Sequence, residues 1–259
     1  MQQPLISIII TVLNGAETIS QTLTSIANQT FSDYELVVVD GGSKDRTVEL
    51  INASPIQAKT VRVIPGIGLY AGLNEGIRLS TGNWLYFIGA DDELYSPDTL
   101  QRASEFIKAK KSDTKLLVGS VACIKQEMLL RPLFGSPYLM RHQVHHQGMF
   151  YDRSIFDDAL YNETMRIASD YEFNLELSLK GVPHEAMEDF IVCNFGGDGV
   201  SENQMKRGFA EMQRVHHRLF KGIGRPCAMG YFWLRRRTGA FLRQFKLKKV
   251  STGLKKAFG

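Results

Sequence analysis

The stretch NWLYFIGADDEL, residues 83–94, organises the reading of this chain. Trp84 to Ile88 is an unbroken apolar run, ended by Gly89-Ala90 and followed by two adjacent carboxylates, Asp91 and Asp92. An apolar run of that length between turn signals reads as a buried strand. Two carboxylates just past its end repel each other and lose hydration. Two readings stand at this point. One is a solvated turn that caps a following helix. The other is a site where a divalent cation held by oxygen ligands offsets the repulsion.

Upstream, the pattern of strand then helix repeats. Leu5 to Val12 is rich in β-branched residues and apolar nearly throughout, as in a central parallel strand covered on both faces. Ile19, Leu23, Ile26 and Ala27 predict a helix over 16–28. Tyr34 to Val39 reads as a second buried strand ending at Asp40, with Ser43 as N-cap of a helix over 44–53. Val61 to Ile64 is a short strand, and 70–79 reads as a helix. Four strands with three intervening helices make a doubly wound α/β half, in which ligands bind beyond the carboxyl ends of the strands. Those ends carry Thr11 to Asn14, Asp40 to Ser43, Pro65 to Gly68, and Gly89 to Asp92. Polar, glycine-rich and acidic groups thus collect on one rim of an apolar sheet.

Downstream, Pro97 opens a predicted helix to Lys111, and Lys115 to Cys123 reads as a strand paired with 124–131. Residues 133–146 read as loop and Gln147 to Tyr151 as a short strand. A turn or short helix covers 153–160, and helices are predicted over 167–180 and 202–221, with a strand over 186–195 between them.

With 259 residues and 44% hydrophobic content, the chain suits one large α/β domain plus an appendage. No apolar stretch approaches the ~20 residues that span a bilayer, and no N-terminal signal peptide is read. Three widely spaced cysteines predict a reducing compartment without a disulfide framework. The charge is unevenly divided. Residues 212–259 hold 13 of the 31 Lys and Arg and no Asp or Glu, which leaves 18 basic against 27 acidic side chains in 1–211. In 231–259 aromatic and aliphatic residues interleave with Arg and Lys, and Leu247, Val250, Leu254 and Phe258 share one helical face. An interfacial helix on an anionic bilayer has this pattern. A helix docked on the acidic body shares it. Nucleic acid is not expected as a partner, because no binding motif accompanies the charge.

Five segments together resemble the family 2 glycosyltransferases of GT-A fold, in the bacterial surface-polysaccharide type. They are SIIITVLNGAETISQTLTSIANQTF (7–31), ELVVVDGGSKDRT (35–47), GLYAGLNEGIRLSTGNWLYFIGADDEL (68–94), HHQGMFYDRSIF (145–156) and ASDYEFNLELSLKG (168–181). The resemblance implies a doubly wound, mostly parallel sheet flanked by helices over 1–225, followed by a basic amphipathic tail over 226–259. It implies inverting transfer of a single sugar from a nucleotide-diphosphate donor to an acceptor hydroxyl, on a lipid-linked or growing cell-surface saccharide. Catalysis would occur at the inner face of the cytoplasmic membrane.

Carried over by position, Thr11 and Asp40 would meet the nucleotide base and ribose, and Asp91 the ribose and donor sugar. Leu13, Asn14, Glu17, Gly41, Gly68, Asn74 and Arg78 complete the implied donor set. Asp92 would hold Mn²⁺ or Mg²⁺, and Asp170 would be the catalytic base, with Glu172 as its rival. His145 and His146 are read either as phosphate or metal contacts or as structural histidines. Asp198 is read as part of a loop that closes over the donor. The segment at 71–76 and Gly89 depart from the common family pattern, so metal binding leans on Asp91 and Asp92.

Two other enzyme classes lack their marks. A nucleotidyltransferase wants a Gly-rich basic loop after the first strand, and a nicotinamide enzyme wants Gly-x-Gly-x-x-Gly there; VLNGAE supplies neither. A catalytically silent membrane scaffold is the remaining alternative, opposed by the intact Asp40, Asp92 and Asp170.

Overall fold

The structure, a computed structural model, describes residues 3–139, 145–197 and 205–220. The tail over 226–259 and Asp198 lie outside the described residues, as do Cys227 and the ends of the helix predicted over 202–221.

One nine-stranded sheet runs through the fold. Strands β1 (Ile6–Val12), β2 (Tyr34–Asp40), β3 (Lys59–Val63) and β4 (Trp84–Phe87) form its parallel half, in the order β3-β2-β1-β4. In β1 every residue but Thr11 is buried, because helices cover both faces. Each fully buried isoleucine there contributes about 1.5–3 kcal/mol of apolar burial.

Helices α1 (Ile19–Ala27), α2 (Thr47–Ala53) and α3 (Leu69–Leu79) make the crossovers. Helix α1 buries Ile19, Leu23 and Ile26 against the core that holds Ile8 and Ile10. Helix α3 lies on the opposite face, and two glycines one turn apart let it sit unusually close to β1. A Cβ on Gly72 would stand 2.9 Å from Thr11 Cγ2, and one on Gly76 2.5 Å from Ile9 Cγ2. That close approach fixes where the first turn of α3, with Tyr70, meets the strand ends.

The second half joins through an antiparallel strand. After β5 (Glu93–Leu94) and α4 (Thr99–Ala109) come β6 (Leu116–Cys123), β7 (Met128–Leu130), a short helix α5 (Ser136–Leu139) and β8 (Met149–Asp152). Strand β8 pairs antiparallel with both β4 and β6. Its entrance therefore abuts the exit of β4, which brings residues 145–148 beside Asp91-Asp92. Helix α6 (Ser169–Leu179), β9 (His184–Phe195) and α7 (Met205–Leu219) complete the described fold. Strand β9 pairs with β6 and with β5, so its exit also reaches the Asp92 region.

Several local expectations fail. Residues 133–146, read as loop, hold helix α5, and residues 124–126, read as strand, form a 3₁₀ turn before β7. Helix α2 starts at Thr47, and Ser43 caps no helix. Its hydroxyl donates to Asp40 Oδ2 and accepts from the Asn14 N–H at 2.7 Å, so it belongs to the turn after β2. Gln147 is not in a strand, because a 3₁₀ turn over His146–Gly148 precedes β8. Cys123 and Cys193 are free thiols. No helix among the described residues is long and apolar enough to cross a membrane.

Candidate active site at the strand rim

The rim beyond β1, β2 and β3 is a mesh of loop-to-loop hydrogen bonds. Asn14 takes a left-handed conformation, φ 52°, and its Oδ1 accepts from Lys44 N–H at 2.9 Å. Gly15 and Ala16 donate to Thr47 Oγ1 and Asp45 Oδ2. Gly41 donates to Val12 O at 2.8 Å, and its own carbonyl accepts from Gly66 at 2.9 Å. Gly68 precedes the first turn of α3, and its carbonyl accepts from Gly72 N–H. Thr11 turns its methyl toward Gly72, Leu13 is 58% exposed, and Glu17 is exposed.

Asp40 is placed differently from expectation. It is fully buried, and its Oδ1 accepts from the N–H groups of Gly42 and Ser43 at 2.8 and 2.7 Å while Oδ2 accepts from the Ser43 hydroxyl. In this conformation the carboxylate shapes its own turn rather than facing a base. Asn74 and Arg78 are both engaged by other groups of the protein. Asn74 is buried and binds Tyr161 through both its amide nitrogen and its oxygen, with Glu163 as a second acceptor. It pins the 161–163 loop to α3. Arg78 lies in the last turn of α3, about 13 Å of helix rise from the rim, paired with Glu75 and Glu163. A helix that starts at the ligand rim carries its later residues away from it.

Asp92 is fully buried beyond β4. Its Oδ2 accepts from Gln147 Nε2 at 3.0 Å and Gly89 N–H at 3.1 Å, and its Oδ1 from Gly196 N–H at 2.9 Å. Burial, and then the charge of Asp91, push its carboxyl up to about 6. Gly89 has a clear role. A Cβ there would stand 2.6 Å from Asp92 Oδ2 and 2.9 Å from Asp91 Oδ1. The absent side chain thus leaves a small space that an oxygen of each carboxylate faces. Magnesium-type sites take one or two protein carboxylates and draw the remaining ligands from phosphates and water. Among the described residues no group of three or more metal-ligating side chains occurs, and two adjacent carboxylates are what such a site asks of the protein. The pair fits that requirement.

Asp170 stands in the first turn of α6, with its side chain 16% exposed. Tyr70 donates its hydroxyl to Oδ1 at 2.8 Å, and His146 Nδ1 lies 3.2 Å from Oδ2. Burial raises the Asp170 carboxyl, but the hydrogen bonds from His146 and Tyr70 and the His146 charge outweigh it and hold the group below the usual range. Tyr70 is pushed far up by burial and by Asp170, so it stays a donor. The rival carboxylate points elsewhere: Glu172 is buried against Asn162 and Arg218, with Arg218 at 2.8 Å. The turn that presents Asp170 is itself held from α7. Buried Glu211 accepts from the backbone N–H groups of Arg166, Ile167 and Ala168 at 2.8–3.2 Å.

The two histidines divide. His146 faces Asp170 rather than the Asp91–Asp92 pair. The His145 ring packs edge-on to Phe195 at 4.7 Å, and burial, then His146, lower it to about 4, so it is neutral at neutral pH. A neutral ring offers a phosphate no charge. Residues 146 and 147 together bridge the two carboxylate centres, one side chain to each. Sequence reading missed Tyr70 and Gln147 as site residues. Gln147 carried a signal, being a polar residue at the mouth of an apolar strand; Tyr70 carried none beyond its place in the first turn of α3.

The chain is similar to known proteins in sequence and in fold. The family model described as "Glycosyl transferase family 2" matches residues 7–158. A "PGL/p-HBAD biosynthesis glycosyltransferase" of Mycobacterium tuberculosis is 37% identical over 180 residues, covering 68% of this chain and 70% of that one. Staphylococcus aureus TarS 1-349, solved in complex with UDP-GlcNAc, superposes with a TM-score of 0.71 at 18% identity, over 94% of this chain and 76% of that one. The mannosyltransferase PcManGT from Pyrobaculum calidifontis, solved with GDP-Man and Mn²⁺, gives 0.67 at 17% identity, over 100% and 80%.

Proposed function

The chain belongs to glycosyl transferase family 2, and from that premise we propose that it moves a single sugar from a nucleoside-diphosphate sugar to an acceptor hydroxyl with inversion. The observation that carries this reading is the bridge at 146–147, where Gln147 touches Asp92 and His146 touches Asp170. A donor-side carboxylate and an acceptor-side carboxylate then lie on either side of one turn, as single displacement requires of groups flanking the reacting carbon.

The nucleotide lies along the rim formed by Thr11, Leu13, Asn14, Gly41 and Gly68. Asp40 meets the base once its turn opens, and Asp91 takes the ribose and sugar side. Glu17 lines the outer edge. Asp92, with Asp91 beside it, would hold Mn²⁺ or Mg²⁺, which would supply positive charge to the departing diphosphate. Asp170, held by Tyr70 and His146, supplies the negative charge that the acceptor proton needs. TarS bound to UDP-GlcNAc and PcManGT bound to GDP-Man and Mn²⁺ support a donor and cation of these classes. The mycobacterial relatives are named for PGL/p-HBAD biosynthesis, and the acceptor assigned to this chain is a lipid-linked or growing cell-surface saccharide.

We assign residues 1–225 to the catalytic domain and 226–259 to a peripheral anchor on the anionic inner face of the cytoplasmic membrane, on the basic and apolar pattern of that segment. Deleting 226–259 is expected to release the protein from anionic vesicles; unchanged sedimentation removes the anchor assignment. The transfer reading is tested by screening nucleotide sugars with and without Mn²⁺ for thermal stabilisation, then assaying transfer from the best donor. Asp92→Ala and Asp170→Ala are each expected to abolish transfer with the fold retained. Full activity in either removes the reading.

A further inference from the structure

The chemistry around Asp170 does not suit a lone carboxylate base. Both its oxygens already accept hydrogen bonds, Oδ1 from Tyr70 and Oδ2 on the His146 side. Its charge is stabilised by these donors, so its affinity for a proton falls. A carboxylate that is buried, ionised and bonded to an imidazole Nδ1 is the arrangement that holds a histidine in its Nδ1–H tautomer and leaves Nε2 free to accept a proton.

The surroundings of His146 fit that role. Its Nδ1 faces Asp170 at 3.2 Å, and its side chain is 23% exposed. No hydrogen bond to Nε2 occurs among the described residues. The ring sits on a short 3₁₀ turn whose next residue, Gln147, is anchored to Asp92 by its side chain and to the Tyr86 hydroxyl by its carbonyl at 3.0 Å. Among the described residues, the charged and titratable groups linked to the ring are Asp170 from α6, Tyr70 from α3 through Asp170, and His145 beside it in the chain, and Asp170 is the one in direct contact. Asp92 is linked to this turn through Gln147.

We infer that Nε2 of His146 is the base that takes the acceptor proton, and that Asp170 is its orienting and charge-balancing partner. This rests on the glycosyl-transfer reading of the site and names the atom that receives the proton. In the step, the acceptor oxygen forms its bond to the anomeric carbon as the bond from that carbon to the diphosphate oxygen breaks. The electron pair leaves with the nucleoside diphosphate. The hydroxyl proton passes to His146 Nε2, and the imidazolium so formed is paired with the Asp170 carboxylate. Atoms and charge balance without a further reactant.

The test has two arms. Long-range proton–nitrogen NMR spectra of the full chain, labelled in histidine and assigned with His146→Gln, read the tautomer directly. In the neutral form of the ring, the proton of His146 is expected on Nδ1, and Asp170→Asn is expected to abolish that preference. A ring that carries its proton on Nε2 overturns the assignment, whatever the enzyme's activity. In the second arm, kinetics with the donor that turns over are expected to show His146→Gln lowering kcat by about 10²–10⁴-fold with donor KM within about twofold. A kcat near the parent value in His146→Gln, with Asp170→Ala inactive, returns the base to Asp170 and overturns the inference while leaving the transfer reading intact. Failure of every nucleotide sugar to turn over would sink the transfer reading instead, and the NMR arm still decides the dyad.

Discussion

Gln147 donates its side-chain N–H to Asp92 Oδ2 across 3.0 Å, both residues being buried. Asp92 therefore has a neutral donor rather than a cation as its nearest side-chain partner. Gln147→Ala leaves that oxygen with only the Gly89 N–H. Removing a donor from a buried charge costs roughly 1–3 kcal/mol, so the urea midpoint is expected to fall accordingly. An unchanged midpoint would show that the contact does not form in solution.

Two groups give opposite pH dependences over one window. The Asp92 carboxyl stands at about 6 against an ordinary 3.8, so the folded protein binds that proton more tightly than the unfolded chain. Its stabilisation is complete below the ordinary value and lost as pH rises through about 6, on the order of 3 kcal/mol. His145 is lowered to about 4 from 6.5, so its stabilisation is present above 6.5 and lost as pH falls toward 4. The metal-free protein is expected to show a shallow stability profile between those limits. His145→Phe should expose a stability that declines with rising pH, and Asp92→Asn one that climbs. Parallel urea curves for both variants would contradict this.

Gly89→Ala tests the space between the carboxylates. The added methyl meets Asp92 Oδ2 and Asp91 Oδ1 inside van der Waals contact, so at least one must move. Donor transfer is expected to drop by more than about tenfold, because a small displacement of positioned groups is costly in rate. The thermal shift induced by Mn²⁺ with nucleotide sugar should shrink in parallel. A variant with parental transfer would remove Gly89 from the site.

Asn74 and Arg78 separate structure from donor binding. Asn74→Ala breaks three hydrogen bonds to the 161–163 loop, two of them buried, and should lower stability by about 2–3 kcal/mol with donor KM unchanged. Arg78→Ala removes two solvent-accessible ion pairs, to Glu75 and Glu163, and should stay within about 0.5 kcal/mol of the parent. Unfolding midpoints and donor KM measured together decide it; a raised donor KM in either variant restores that residue to the donor set.

Glu211 is the support behind Asp170. Glu211→Gln keeps the shape but gives up the charge that the three N–H groups of residues 166–168 share. A loss of about 2 kcal/mol is expected, with kcat falling more than donor KM rises. Calorimetry and steady-state kinetics on the same preparation check both; a change in donor KM alone would place Glu211 on the donor side.

The strand pattern and the polar rim at the strand ends, with Asp91 and Asp92 beyond β4, were legible in the chain. Apolar runs such as 84–88 have one stable destination, a buried strand, and parallel crossovers leave the polar residues at one edge. The partners of those carboxylates were not legible. Gln147 reaches Asp92 because β8 runs antiparallel to β4, and Tyr70 reaches Asp170 across 100 positions of sequence because glycines let α3 lie close on β1. The same helix carries Asn74 and Arg78 away from the rim that its first turn joins. Local sequence determines which segments are strands and helices and where charge must be accommodated. Which side chain meets which charge depends on strand direction and helix approach, and only the assembled sheet decides those.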